Sequence, residues 1–374
     1  AYWTTWAATV TFFAGFYALL VPLPRYLVAA GLPDWQVGLV LGAFGVASLI
    51  GRPIAGVASD RLGPRRVMLV GAASLLVGAV GVVATTSLVP LFGLRVLQAT
   101  GYVAFTTAGT ALIVSLVPPG ERGRRLAVFG AAANVAITVT PGAVAALLEV
   151  APLEVGLLAS GGLALAAALM AARIDTTAAP AAPAGRAIEW AVPRRLWLPM
   201  LTAALLGAAF AAFFQFAPIL AERRGTVPVG VLYTVYGIGI IVTRLVAGRL
   251  LDRLEVGRVI VLATTLIAIG LGLIAATADP LWLTAAPLLV AAGGGLFHPA
   301  LIAHHNALLP EAPGRATAAF YVGFDLGIGV GSWLLGFALE VAGLSGLYWT
   351  AAALAVAVVP LARLLPPAGP RSSI

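Results

Sequence analysis

The sequence predicts an all-α membrane protein in which twelve transmembrane helices form two six-helix repeats related by pseudo-two-fold symmetry. Three observations predict it: an extreme apolar composition, apolar runs of bilayer length, and a charged pattern that recurs 192 residues later. Of the 374 residues, 61% are hydrophobic and only 10% charged. A soluble domain carries about 25% charged residues, so an ordinary soluble enzyme is excluded. One membrane helix takes roughly 20 apolar residues, and a short loop brings each crossing to about 30, hence about twelve crossings. The 43 glycines and 25 prolines fit this class, because membrane helices tolerate both better than soluble ones do.

The elements follow in order from apolar runs set against turn and charge signals. The first run predicts a helix over 3–30. It is too long for the hydrophobic segment of a signal peptide and has no basic stretch before it. Position 1 is not methionine, so residues are expected to precede it. After Asp34, helices are expected over 35–59 and, beyond the Gly63-Pro64 turn, 66–86. The next two, 88–117 and 123–148, flank a turn at Pro118 to Arg122, and 153–173 completes the first set. Residues 174–195, rich in alanine and proline, read as a flexible, Pro-stiffened linker. The second set is expected over 196–221, 228–251, 257–277, 281–309, 315–340 and 344–364. The predicted domains are therefore 1–173, a linker over 174–195, and 196–374.

Charge sets the orientation. All 22 basic residues are arginine, and there is no lysine or cysteine. The absence of cysteine excludes disulfides, thiol nucleophiles and Cys-ligated metals. Segments joining helices 2–3, 4–5, 6–7, 8–9 and 10–11, with the C-terminus, hold 16 of the arginines. The opposite loops hold mainly acids, Asp34, Glu149, Glu154, Asp279 and Glu340, with Glu222, Arg223 and Arg224 after the seventh helix. By the positive-inside rule the arginine side is cytoplasmic, with both termini and the linker on it. The net charge of +8 is thereby explained by topology rather than by nucleic acid.

The two halves are related in sequence. Gly-Arg-Pro-Ile-Ala-Gly-Val-Ala-Ser-Asp-Arg-Leu at 51–62 aligns without gaps to Thr-Arg-Leu-Val-Ala-Gly-Arg-Leu-Leu-Asp-Arg-Leu at 243–254. The offset pairs Arg52 with Arg244, Gly56 with Gly248, Asp60 with Asp252, and Arg61 with Arg253. Repeated bundles of this kind are the architecture of secondary transporters. Gly56, Asp60, Arg61, Gly63, Arg65 and Arg66 resemble the signature loop of the major facilitator superfamily, with a degenerate copy at Gly248, Asp252 and Arg253 where Glu255 replaces the second glycine. The resemblance covers essentially the whole chain and implies the major facilitator fold. It also implies that this loop latches the two halves on the cytoplasmic side. Elementary physics reads Gly56 as a point of close helix approach and Asp60 as facing a helix dipole or an arginine. The alternative is that Arg65 and Arg66 are only topological anchors.

Arg95-Val-Leu-Gln98-Ala-Thr-Gly101 resembles the Arg-x-x-Gln-Gly element of proton-coupled drug antiporters, with the glycine displaced by two residues. Arg95 stands about seven residues into its span, roughly 10 Å deep. A charge there costs about 2.5–3.5 kcal/mol on insertion scales, which calls for a partner or a role; snorkelling to the outer interface is the alternative. The glycine-rich antiporter element of helix 5 is poorly matched, since only Pro141-Gly142 is kept and Val139 stands where a glycine is expected.

Depth arithmetic then isolates the mid-membrane residues. His298 lies 12 residues before Pro310 and Asp325 lies 11 after Gly314, placing both about 17 Å above their turn. Thr106 and Asn134 hold the corresponding depth in the first half. One half thus carries two titratable groups where the other carries neutral ones, the asymmetry an ion-coupled carrier needs. Asp325 is the candidate proton carrier, with His298 and Arg95 assisting; a structural pairing of Asp325 with Arg244, or of His298 with a carbonyl freed near Pro299, is the alternative. Candidate cavity residues are Thr106, Asn134, Gln98, Tyr26, Gln215, Tyr233, Tyr236 and Tyr321. Arg25, Arg52 and Arg244 are candidate intramembrane cations. His304, His305 and Asn306 lack an accompanying carboxylate, so no metal site is expected.

With no lysine there is no Gly-x-x-x-x-Gly-Lys loop, which excludes nucleotide-driven pumping by this chain. No catalytic triad or carboxylate pair is evident, so no enzyme activity and no cofactor are expected. The expected partners are a small amphipathic or weakly polar substrate, protons and the lipid bilayer, with no nucleic acid or nucleotide, acting on a monomer in the inner (plasma) membrane. The resemblance implies proton-coupled efflux by alternating access. The alternatives are an organic-anion uniporter or exchanger using Arg25, Arg95 and Arg244, and a non-transporting receptor or assembly factor on the same scaffold.

Overall fold

The computed structural model describes residues 1–118, 121–175 and 192–367, without the side chains of 122–124, 126–127 and 247–253. Its contacts divide the chain into two units, Ala1–Leu32 with Val46–Trp190, and Pro33–Gly45 with Ala191–Ile374. Among the described residues every regular element is helical.

The first unit begins with α1 (Tyr2–Ala18) and α2 (Pro22–Ala29). The single helix expected over 3–30 is therefore corrected to two pieces. Pro22 and Pro24 lack an amide hydrogen and crowd the carbonyls one turn earlier, so the helix opens at Leu19–Val21. The break is tight, because the Leu23 amide still reaches the Leu19 carbonyl at 3.1 Å. Next, α3 (Asp34–Leu62) passes from the second unit into the first. It stops at Gly63, whose φ of 86° lies in the region that favours glycine. Pro64 then starts α4 (Pro64–Val82) from the position where a proline costs a helix least. The unit is completed by α5 (Leu88–Leu116), α6 (Arg122–Leu147) and α7 (Leu153–Ala172).

Of the expected linker, residues 176–191 lie outside the described ones. A single 3₁₀ turn at Arg194–Leu196 leads into the second unit: α8 (Trp197–Arg224), α9 (Val229–Arg253), α10 (Val256–Ala276), α11 (Pro280–Leu308), α12 (Pro313–Val356) and α13 (Val358–Arg363). The two helices expected over 315–340 and 344–364 appear as one 44-residue run with a single non-helical residue, Gly343, at φ 65° and ψ −168°. Such a run measures about 66 Å at about 1.5 Å per residue, twice a hydrocarbon core of roughly 30 Å. The described residues hold 11 helices long and apolar enough to cross a membrane, the last covering 51 residues. Divided at Gly343, that last stretch supplies two spans and the total is twelve.

Between membrane helices there is little hydrophobic driving force, and association relies on close van der Waals contact of small residues. α12 lies on α8 in this way. A Cβ added at Gly327 would stand 1.9 Å from the Ala204 carbonyl oxygen, and one at Gly331 would stand 2.4 Å from the Ala208 Cα. In the first unit α4 and α5 approach as closely, a Cβ at Gly101 meeting the Gly71 carbonyl oxygen at 2.5 Å.

Candidate functional site

In the first unit the polar centre is Arg95. It is 2% exposed, and Gln98, one turn further along α5, is 0% exposed. The spacing puts both on one helix face, where Arg95 Nη1 donates to Gln98 Oε1 at 3.0 Å. Gln98 Nε2 donates to the Gly78 carbonyl of α4 at 2.8 Å. The guanidinium also lies 5.5 Å from the centroid of the Phe16 ring of α1, in cation–π range. Arg95 Nε is buried and unpaired, and the cation has no carboxylate partner among the described residues. Gln98, expected to line a cavity, has both ends of its amide occupied in joining α4 to α5.

The other first-unit candidates make no hydrogen bond to Arg95 or Gln98 among the described residues. Thr106 is half-buried and turns its hydroxyl to the Tyr102 carbonyl at 2.8 Å on its own helix. Asn134 is half-buried on α6. Tyr26 is buried, its hydroxyl 3.4 Å from the Thr85 carbonyl. Arg25 is half-buried on α2, and Arg52 Nε donates to Ser48 Oγ at 3.0 Å. Asp60, Arg61, Arg65 and Arg66 are exposed around the α3–α4 turn. Arg65 Nη1 donates to the Ile174 carbonyl just past α7 at 3.2 Å, within its own bundle. The close approach expected at Gly56 is not made: among the described residues nothing lies within 4 Å of where its Cβ would be. Gly248, Asp252 and Arg253 lie in α9, but their side chains are outside the described ones.

The second unit gathers the remaining candidates. Asp325, on α12, is 4% exposed. His298, on α11, is half-buried, and its Nδ1 stands 3.2 Å from the Gly294 carbonyl. Arg244, on α9, is exposed, although it stands nine residues inside the end of its helix. Aromatic rings surround the imidazole: Phe297 at 4.1 Å between centroids, Phe324 at 4.7 Å, Phe320 at 5.7 Å and Phe210 at 6.1 Å.

Tyr233 and Tyr236 continue this aromatic set toward α8. Both pack on Phe213, at 5.6 and 5.1 Å, and Tyr233 donates to the Phe214 carbonyl at 3.0 Å. Tyr321 is half-buried beside Phe320. Gln215 is buried, with its Nε2 3.5 Å from the Leu41 carbonyl and its Oε1 without a hydrogen bond among the described residues. Nearer the end of α11, His304 and His305 are 3% and 0% exposed, and neither ring nitrogen of His304 has a partner among the described residues.

Sequence reasoning missed the four phenylalanines around His298. A usable signal was the i, i+4 pair Phe320 and Phe324, which must share a helix face. Chemically, the second unit offers a buried acid, a half-buried imidazole whose Nε2 has no hydrogen bond among the described residues, an exposed guanidinium and a set of phenyl rings packed on the imidazole. These can hold a proton, an acceptor and a flat apolar body.

Comparison with known proteins adds the following. The sequence matches the family model described as Major Facilitator Superfamily over residues 5–229 and 226–373. It is 28% identical over 367 residues to the Escherichia coli K12 protein described as uncharacterized MFS-type transporter YhhS, covering 92% of this chain and 87% of that one. The Salmonella typhimurium protein of the same description is 28% identical over 356 residues, covering 90% and 85%. The fold resembles the solved structure of a mutant of the nucleoside transporter NupG, with a TM-score of 0.80 at 14% identity, covering 98% of this chain and 100% of that one. It also resembles a bacterial homolog of the human lysosomal transporter Spinster, in an inward-facing and occupied conformation, with a TM-score of 0.74 at 15% identity over 97% and 96%. The human organic anion transporter MFSD10 gives a TM-score of 0.68 at 17% identity over 96% and 98%.

Proposed function

Because the chain belongs to the major facilitator superfamily, whose members are transporters and not enzymes, we propose that it is a secondary active transporter that exports a small amphipathic or weakly polar molecule in exchange for protons. Transport runs by alternating access. The observation that carries the coupling is Asp325, an acid 4% exposed on a membrane-spanning helix. An intramembrane carboxyl is costly and marks a proton or substrate pathway more often than a scaffold role. It loads a proton from outside and releases it inward as the carrier turns over, with the Gly56 to Arg66 loop as the cytoplasmic latch. The protein acts as a monomer in the bacterial inner membrane, with the arginine-rich loops and both termini cytoplasmic. Bundles 1–173 and 196–374 are its two transport domains.

The test is proton movement in proteoliposomes. Substrate added under a pH gradient moves protons in the wild type, and Asp325→Asn abolishes coupled flux while leaving uncoupled exchange. Unchanged coupling in that variant sinks the assignment.

A second reading, organic-anion exchange without protons, is favoured by Arg95 having no carboxylate partner among the described residues and by the exposed Arg244. Anion exchange that is lost on Arg95→Gln and is indifferent to pH supports that reading.

A further inference from the structure

We infer that Arg258 and Arg363, at one end of the seam between α10 and the last span, form a binding site for an anionic phospholipid. The phosphate lies between the two guanidiniums, and the acyl chains run along the exposed apolar faces below them. The inference goes beyond the transport reading and depends only on the chain spanning a bilayer, not on its substrate or on protons.

Three contacts fix how α10 lies on the last span, which consists of α12 beyond Gly343 and α13. Ser345 Oγ donates to the Ala275 carbonyl at 3.1 Å. A Cβ added at Gly272 would stand 3.4 Å from the Trp349 ring, and one at Gly257 would stand 2.7 Å from the Ala362 carbonyl oxygen. The two are therefore antiparallel neighbours in contact at both ends. Arg258 follows Gly257 and Arg363 follows Ala362, so this register brings both arginines to one level. α10 has 21 residues, about 31 Å at about 1.5 Å per residue, which matches a hydrocarbon core of roughly 30 Å. Its first turn, and Arg258 with it, stands at the headgroup boundary.

Charge selects the occupant. Arg258 and Arg363 are both exposed, and Arg363 has no ion pair among the described residues. The carboxylate beside Arg258 is Glu255, at 3.7 Å with the side chains 74% and 82% exposed, and so open a pair contributes little. Other arginines of the chain are better matched: Arg125 has Glu121 at 2.9 Å, and Arg195 has Glu311. Like charges at one level on adjoining helices repel, the more so as they leave bulk water. A phosphate between them makes both interactions favourable, and the guanidinium fork matches its oxygens. A headgroup that adds an ammonium brings a third cation to the same place and loses that gain.

The apolar part distinguishes a lipid from a soluble anion. On α10, Arg258, Leu262, Thr265 and Ile269 are all exposed, at spacings that put them on one helix face. On the last span Val356 and Trp349 are each 55% exposed. Both faces continue from the arginines toward the middle of the bilayer. A phospholipid satisfies the charged end and the apolar face together; inorganic phosphate satisfies the first alone.

The experiment titrates the full chain, purified in detergent, with dioleoyl-phosphatidylglycerol, dioleoyl-phosphatidylethanolamine or inorganic phosphate. Bound lipid is counted by native mass spectrometry, and thermal unfolding is followed in parallel. We expect phosphatidylglycerol to bind about tenfold more tightly than phosphatidylethanolamine, and high salt to shrink that preference. Arg258→Gln and Arg363→Gln should each weaken phosphatidylglycerol about fivefold and leave phosphatidylethanolamine unchanged. Arg194→Gln, at another exposed arginine, should alter neither. The wild-type preference and its salt dependence need no variant, which covers the case in which a substitution prevents folding.

Equal wild-type affinity for the two lipids overturns the site. So does an equal loss in Arg194→Gln, which would mark general surface charge. Protection by inorganic phosphate as strong as that by phosphatidylglycerol overturns the lipid assignment, because the apolar faces then contribute nothing.

Discussion

Arg95 donates to Gln98 Oε1 at 3.0 Å while the other end of the same amide holds the Gly78 carbonyl at 2.8 Å. One neutral side chain thus mediates between a buried cation and the backbone of a neighbouring helix. Hydrogen bonds to charged groups contribute about 1.5–3 kcal/mol, and a buried charge left without its acceptor costs more than the bond itself. Gln98→Ala is therefore expected to destabilise the first bundle by about 2–3 kcal/mol. Arg95→Met, which removes the charge together with its need, should cost less. Thermal unfolding of both variants in one detergent checks the order; equal losses would show that Gln98 does not serve Arg95.

Gly327 and Gly56 make opposite predictions. A methyl at Gly327 would collide with the Ala204 backbone, whereas one at Gly56 would meet nothing among the described residues. Overpacking costs about 1–3 kcal/mol and occasionally more. Gly327→Ala should lower the unfolding temperature sharply, and Gly56→Ala should leave it unchanged while testing the latch through transport rate. A tolerated Gly327→Ala would mean that α8 and α12 are not held at this spacing.

The α11–α12 turn carries a pH-dependent tie outside the membrane spans. Glu311 is held below its ordinary value by its own backbone amide and then by the hydrogen bond from Arg195, with the charges of Arg195 and Arg315 adding. A carboxyl depressed in this way contributes stability in full above its unfolded value. The contribution is lost as pH falls through the lower folded value. Unfolding temperature should therefore decline below about pH 4.3, the unperturbed glutamate value, more steeply in the wild type than in Glu311→Gln. Parallel acid profiles would show that the pair is not formed in solution. High salt should shrink the difference, because the pair is exposed.

Arg224 closes the end of another helix. Its Nη1 donates to the Ile274 carbonyl at 2.6 Å and also to the Thr277 carbonyl, both at the C-terminus of α10. These carbonyls have no partner within the helix. Arg224→Ala should cost about 1–2 kcal/mol and raise amide hydrogen exchange over residues 274–277 before it affects the rest of α10. Uniform exchange along α10 would contradict a local capping role.

Much of the architecture was legible because bilayer thickness dictates helix length. Helix limits over 88–116, 153–172 and 256–276 lie within a residue or so of those read from apolar runs. The boundary between the last two spans was legible as well, since the expected limits 340 and 344 bracket the one non-helical residue, Gly343. The break before Pro22 was not, because it depends on local backbone chemistry inside a run that remains apolar. The site was legible as residue types at a common depth but not as pairings. Depth along a helix follows from counting, whereas azimuth depends on packing. Arithmetic could therefore bring His298 and Asp325 to one level without revealing that the imidazole packs among Phe297, Phe320 and Phe324. It could not foresee either that Gln98 is consumed by Gly78, a residue 20 positions earlier on another helix.

The join at Gly343 also bears on biogenesis. With one non-helical residue between the last two spans, there is almost no polar loop to carry across the membrane, and the pair can enter the bilayer together as a ready-made hairpin. Its reversal depends on a φ that other residues adopt only at a cost. A bulky residue at 343 should leave the first ten crossings in place and misdirect the C-terminal tail, a fault visible as protease access from the wrong side of the membrane.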